Sequence, residues 1–245
     1  MKSFLREAYE RTSKIFPDFI ISRQEFRMEA ALASNQSQYT LNLKQGNAST
    51  DGPSQVLLND SDAFVLCAIS VGIVKHDTTL SPPAYGTFQV FTYPDGQIFV
   101  GAPSGQQTER ASLLSIYNGT LEFRTESLIR KKPSSTVSYL YAPQAQVIAG
   151  SPTAGTLTLP QFGGLTEDSR GFVEEQPTPL LSGQQSNVFV VNLGAGDYTG
   201  IAGQYTAAGA ATATSRNYLV VRLLGLLIAN GAQPAMRFAK SWGGE

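Results

Sequence analysis

The residues able to do chemistry in this chain are few and far apart. One histidine, His76, and one cysteine, Cys67, stand among 245 residues, and only 15% of the chain is charged. His76 next to Asp77 has the type of a general base, but no nucleophile stands beside it in a recognisable motif. Cys67 lies in the apolar run 63–74, which fits a buried and inert thiol, and a lone cysteine closes no intramolecular disulfide. Hydrolysis by a carboxylate pair needs two acids. The densest acidic spots, Glu167-Asp168 and Glu174-Glu175, flank turn residues and read as solvated loop charges. Residues 194–200 carry three glycines after an apolar run, as a phosphate-binding loop does, but the Ala, Gly and Thr that follow offer no amphipathic helix to hold an anion. No Walker-type loop, no Gly-x-Ser-x-Gly elbow and no Cys-x-x-Cys occurs, and no His or Cys cluster suggests a metal. The expectation is a protein that is not an enzyme and takes no cofactor or metal.

Binding chemistry is better represented. Arg130-Lys131-Lys132, with Arg124 nearby, is the compact basic cluster, read as either a solvated loop or a contact patch for phosphate or a neighbouring subunit. A net charge of −1 gives no global attraction to nucleic acid or an anionic membrane, so no sequence-specific nucleic-acid partner is expected. The N-terminus is the more discriminating feature. Residues 2–16 read as a helix with Phe4, Leu5, Ala8, Tyr9, Ile15 and Phe16 on one face and Lys2, Arg6, Glu7, Glu10, Arg11 and Lys14 around the rest. Pro17 ends it. Three seats suit such a helix: its own domain, a neighbouring subunit, or a membrane surface. In the last two, Phe4, Leu5, Ile15 and Phe16 supply the apolar contact, and Arg6, Arg11 and Lys14 face headgroups or a partner.

The elements that follow are short and β-like. Residues 22–25 fit a capping box, although 25–32 also suit a strand. Alternation at 39–43 and apolar runs at 55–58 and 63–74 come next. A hairpin is predicted across 87–100 with its turn at Pro94-Asp95-Gly96, and a second across 113–125 with its turn at Asn118-Gly119. Strands are further expected at 137–141, 156–159, 171–175, 187–193 and 218–228. With 23 Gly and 13 Pro supplying turns and no regular alternation with helices, the pattern predicts an all-β sandwich or jelly roll behind an N-terminal amphipathic helix. Two divisions suit it: an arm 1–34 with jelly rolls at 35–145 and 146–245, joined by the Gly-, Pro- and Thr-rich stretch 144–164, or one continuous β body over 35–245. The first residues lack the apolar core of a signal peptide, and no run reaches the ~20 apolar residues of a membrane span, so synthesis in a reducing cytoplasm is expected.

A helical N-terminal arm, a long β body, low charge and no catalytic inventory together resemble the coat proteins of icosahedral viruses, particularly of tailless phages. In the two-barrel division the chain resembles the trimeric, double jelly-roll major capsid proteins of internal-membrane phages. The resemblance implies a structural virion protein, made in the host cytoplasm, that self-associates into trimers and then a shell. It also implies contacts with other virion proteins and an N-terminal helix facing the particle interior, where an internal membrane lies. The alternative is a carbohydrate-binding β-sandwich or phage spike module, with Tyr85, Tyr93, Tyr139 and Tyr141 as stacking platforms.

Overall fold

The computed structural model describes residues 3–44, 55–77, 90–94, 99, 109–126, 128–141, 171–203 and 215–236. Helix α1 (Ser3–Ile15) leads into β1 (Ile21–Ala31), β2 (Gln38–Asn42) and the long β3 (Ala63–Asp77). A short helix α2 (Glu109–Leu113) precedes β4 (Thr120–Thr125) and β5 (Leu128–Ser135). After β6 (Val173–Glu174) and β7 (Leu180–Ser182) come β8 (Asn187–Asn192) and β9 (Ser215–Ile228).

Two antiparallel sheets result. Sheet A runs β1-β9-β3-β6, with β7 also on β3, and sheet B runs β2-β8-β4-β5. The strands face each other across a core of Phe26, Phe64, Ile69, Val71, Phe123, Phe189, Val191 and Val221. Phe26 meets Phe64 edge-on at 4.8 Å, and Phe123 stacks on Phe189 at 4.6 Å. The all-β expectation therefore holds, with helix a minor part of the described residues. Both sheets mix early and late strands: β8 pairs with β2 and β4, and β9 with β1 and β3.

The near-continuous apolar run of β3 has a specific cause. Phe64 and Leu66 point into the sandwich, while Ala63, Val65 and Cys67 point to the other face of sheet A, under α1. The register against β9 slips between Leu66 and Ala68, so Cys67 is the extra residue of a bulge. Past the bulge the parity flips, and Ile69, Val71 and Ile73 carry on the inner row. Gly225 sits across from Leu66 at this point, and a Cβ there would run into the Val65 carbonyl oxygen and the Phe64 ring. The run is apolar on both faces because both are covered.

Several local expectations change. The 22–25 segment is strand, not helix: Phe26 and Met28 alternate into the core, and eleven register pairs to β9 outweigh any cap. Residues 113–116 are helical, through α2 and a 3₁₀ turn at Leu114–Ile116, so Asn118-Gly119 joins a helical turn to β4 and no hairpin forms there. The partner of β4 is instead β5. The segment 136–139 is a 3₁₀ turn (Thr136–Tyr139) capped by the Ser135 hydroxyl, which accepts from the Val137 N–H. Most of the 87–100 hairpin, the 156–159 strand and Glu167-Asp168 lie outside the described residues; within them, Phe91 bridges Ile73.

Candidate interaction surface

Helix α1 lies on its own sheet. Leu5, Ala8 and Phe16 are buried against Ala63, Val65, Cys67, Leu224, Leu226 and Ile228, with Phe4 and Ile15 partly buried beside them. Thr12, not Tyr9, completes the buried stripe. Its hydroxyl donates to the Ala8 carbonyl at 2.6 Å, which removes the cost of burying it, while Tyr9 stands 42% exposed on the flank. Arg6, Arg11 and Lys14 are exposed, and Arg6 pairs with Glu10 at 2.9 Å one turn on. The apolar face that could dock on a neighbour or a membrane is thus covered, and the face turned outward is mixed in charge. Among the described residues no helix is long and apolar enough to cross a membrane.

The basic cluster is divided by its strands. Arg124 is exposed on β4 and paired with Glu122. Arg130 and Lys132 are exposed on β5, the edge strand of sheet B. Lys131 alternates inward, where its ammonium meets Glu175 and donates to the Tyr139 hydroxyl at 3.3 Å, and Tyr139 donates to Glu175 at 3.3 Å. Burial, helped by the charge of Glu175, pushes the Tyr139 phenol well above its usual range. Lys131 and Glu175 line a cleft of ≈ 270 Å³ between the β5 edge and the β6–β7 edge. Leu66, Ile69, Phe123 and Leu180 form its apolar lining, and Ile129, Arg130 and Lys131 border it on the β5 side.

Of the exposed large hydrophobic residues, Ile129 borders this cleft. Leu128 is 60% and Ile129 55% exposed at one end of β5, and Val137, Leu140 and Tyr141 are exposed past its other end. Half of the large exposed hydrophobic side chains among the described residues fall in the stretch 128–141, at the two ends of β5. Sequence reasoning found the basic residues here and missed Leu128 and Ile129; it read Glu175 as a solvated loop charge, whereas its carboxylate is largely buried between Lys131 and Tyr139. The adjacency of Leu128-Ile129 to a basic run was the available signal; the approach of Glu175 across 44 positions left none.

Other charged groups are paired in the interior. Glu29 is fully buried on the outer side of sheet A, with Arg27 at 2.5 Å and the His76 ring at 3.3 Å. Burial alone would raise its carboxyl, but the His76 hydrogen bond and the Arg27 charge outweigh that and leave it below the ordinary value. Lys75 holds both oxygens of buried Glu109, at 2.9 and 3.0 Å, and Asn217 donates to the same carboxylate. Cys67 is buried, and burial pushes its thiol up to about 12. The glycine-rich 194–200 segment is a turn rather than a helix start: Tyr198 donates back to the Gly194 carbonyl at 2.6 Å, and Thr199 N–H bonds Asp197 at 2.9 Å. Among the described residues no group of three or more His, Cys, Asp or Glu side chains gathers as a metal would need. Of the tyrosines named as stacking platforms, Tyr139 is buried, Tyr93 half-buried and Tyr141 exposed, while Tyr85 lies outside the described residues. Comparison with protein-family models, with curated proteins and with solved structures finds no match to this chain.

Proposed function

We propose that this chain is a non-enzymatic coat subunit built on one jelly roll, which self-assembles through trimers into an icosahedral virion shell. The observation that carries the reading is strand order. A jelly roll wraps eight strands so that the last lies between the first and third in one sheet, and the seventh between the second and fourth in the other. With β6 and β7 sharing the place of one strand on β3, the orders β1-β9-β3-β6 and β2-β8-β4-β5 follow that scheme throughout. Interleaving of early and late strands favours one body over two tandem barrels. The exposed apolar and basic flank at β5 supports self-association, because identical subunits repeat even a weak contact many times over a closed shell.

In this reading the protein resides in the virion, and its partners are further copies and other virion proteins. The helix α1 stiffens the subunit rather than reaching to a membrane. A concentration series followed by light scattering and negative-stain imaging tests the proposal. Trimers and closed particles are expected; a monomer up to the highest soluble concentration, under conditions of folded circular dichroism, refutes it.

A further inference from the structure

We propose that the connection 17–20 of one copy seats in the cleft beside β5 of the next, a head-to-tail contact between opposite edges of sheet A. The inference rests on the self-assembly reading and names its contact. Ile20 is the most exposed large hydrophobic side chain among the described residues, at 76%. Its backbone is nonetheless fixed: its carbonyl accepts from the Ala229 N–H at 3.1 Å. One residue back, Phe19 meets Phe16 edge-on at 5.7 Å. Ile20 is therefore an apolar knob on a fixed base, with exposed Asp18 beside it.

The cleft has the complementary features. At ≈ 270 Å³ it falls just short of the roughly 300–1,000 Å³ of small-molecule sites and suits one or two inserted side chains. Leu66, Ile69, Phe123 and Leu180 offer an apolar seat, and Arg130 at the cleft meets the charge of Asp18. Neither Arg130 nor Lys132 has an acidic partner among the described residues. Direction follows from topology. The knob precedes β1, at one edge of sheet A, and the cleft borders β6 and β7, at the other. Such a contact is heterologous, and closes into a ring where the rotation permits. A two-fold contact of β5 on β5 would instead set Arg130 and Lys132 against their own copies. Continuous strand addition along β5 is also opposed, since Pro133 lacks an N–H and the Arg and Lys side chains blunt the edge.

Two variants, Ile20→Cys and Ile129→Cys, test the contact when prepared separately and mixed under mild oxidation. Wild-type protein, whose Cys67 is buried, is the blank. A disulfide-linked heterodimer from the mixture, absent from either variant alone, is expected. Ile20→Asp should lower the apparent association by roughly tenfold or more without moving the melting temperature, because the side chain is exposed. Asp18→Arg should weaken association, and adding Arg130→Asp should restore it. If wild-type oligomers persist with Ile20→Asp and the mixture yields no heterodimer, this contact is wrong and the shell reading stands. If wild-type protein is monomeric at every concentration, the shell reading falls and takes the contact with it.

Discussion

Trimming the two most deeply seated side chains of α1 separates a helix that belongs to the fold from one that waits for a neighbour. Leu5 is 2% and Phe16 1% exposed, both against the outer face of sheet A. Buried Leu→Ala changes cost about 2–5 kcal/mol and Phe→Ala about 3–5 kcal/mol, and the lower ends apply where the surroundings can settle. An outer-layer helix can settle, so the double variant should lose about 5 kcal/mol, out of the roughly 5–15 kcal/mol that hold a typical domain. Cys67 supplies a local reporter because it lies in the same apolar cluster. Burial raises its thiol from 9.0 to about 12, which makes the reactive thiolate about a thousandfold scarcer at a given pH. Urea unfolding followed by circular dichroism gives the global loss, and alkylation of Cys67 at increasing urea gives the local one. Wild-type Cys67 should stay silent until the global transition. In the double variant it should react at urea concentrations below that transition, as α1 lifts from the sheet before the sandwich opens. An unchanged urea midpoint together with unchanged alkylation would refute the seating of α1 and return its apolar face to the list of free docking surfaces.

Three other perturbations test the interior. Glu29 is held below its ordinary 4.5, so its contribution is present above about pH 4.5 and disappears as the pH falls through its folded value; Glu29→Gln should flatten the acid limb of urea midpoints below about pH 4.5. Lys75→Met leaves the buried Glu109 carboxylate without its nearest cation and should cost about 3 kcal/mol in thermal or urea unfolding, whereas Lys75→Arg should cost less. Gly225→Ala drives a methyl into the Val65 carbonyl opposite the Cys67 bulge and should cost about 1–3 kcal/mol, while Gly196→Ala, in a roomier loop, should leave the urea midpoint unchanged.

What was legible in the sequence follows from where the physical signal is local. The α1 pattern, the stop at Pro17 and the strands β2, β3, β8 and β9 rest on periodicity and turn residues within a few positions, and all lie near the expected places. The errors arose where a local signal had two solutions. Asn118-Gly119 suits a hairpin, but Leu113 and Ile116 are buried from a helical turn, and Gly119 packs so close to the Asn192 carbonyl that no other residue fits. Residues 137–141 look like a strand, yet the Thr136 hydroxyl donates to the Ile116 carbonyl at 2.5 Å and accepts from the Gly119 N–H at 3.0 Å, which fixes a 3₁₀ turn there. Both outcomes are decided by contacts about 20 to 70 positions away, which no window of a dozen residues contains.

The surface at β5 shows the same limit from the other side. An amphipathic helix carries one apolar stripe whether it covers its own sheet, a neighbour or a membrane, so the stripe of Phe4, Leu5, Ile15 and Phe16 was the conspicuous docking candidate. Its own sheet covers it because β3 and β9 expose a second apolar row there, which a two-layer sandwich would otherwise leave in water. The cleft is assembled instead from β3 (Leu66, Ile69), β4 (Phe123), β5 (Ile129, Arg130, Lys131) and the segment from Glu175 to Leu180. None of these pieces is amphipathic enough to stand out alone. Their convergence depends on β5 forming one edge of sheet B beside the β6–β7 edge of sheet A, a consequence of strand order. The cleft is thus a property of topology, and the basic run preceded by Leu128 and Ile129 is its trace in the linear sequence.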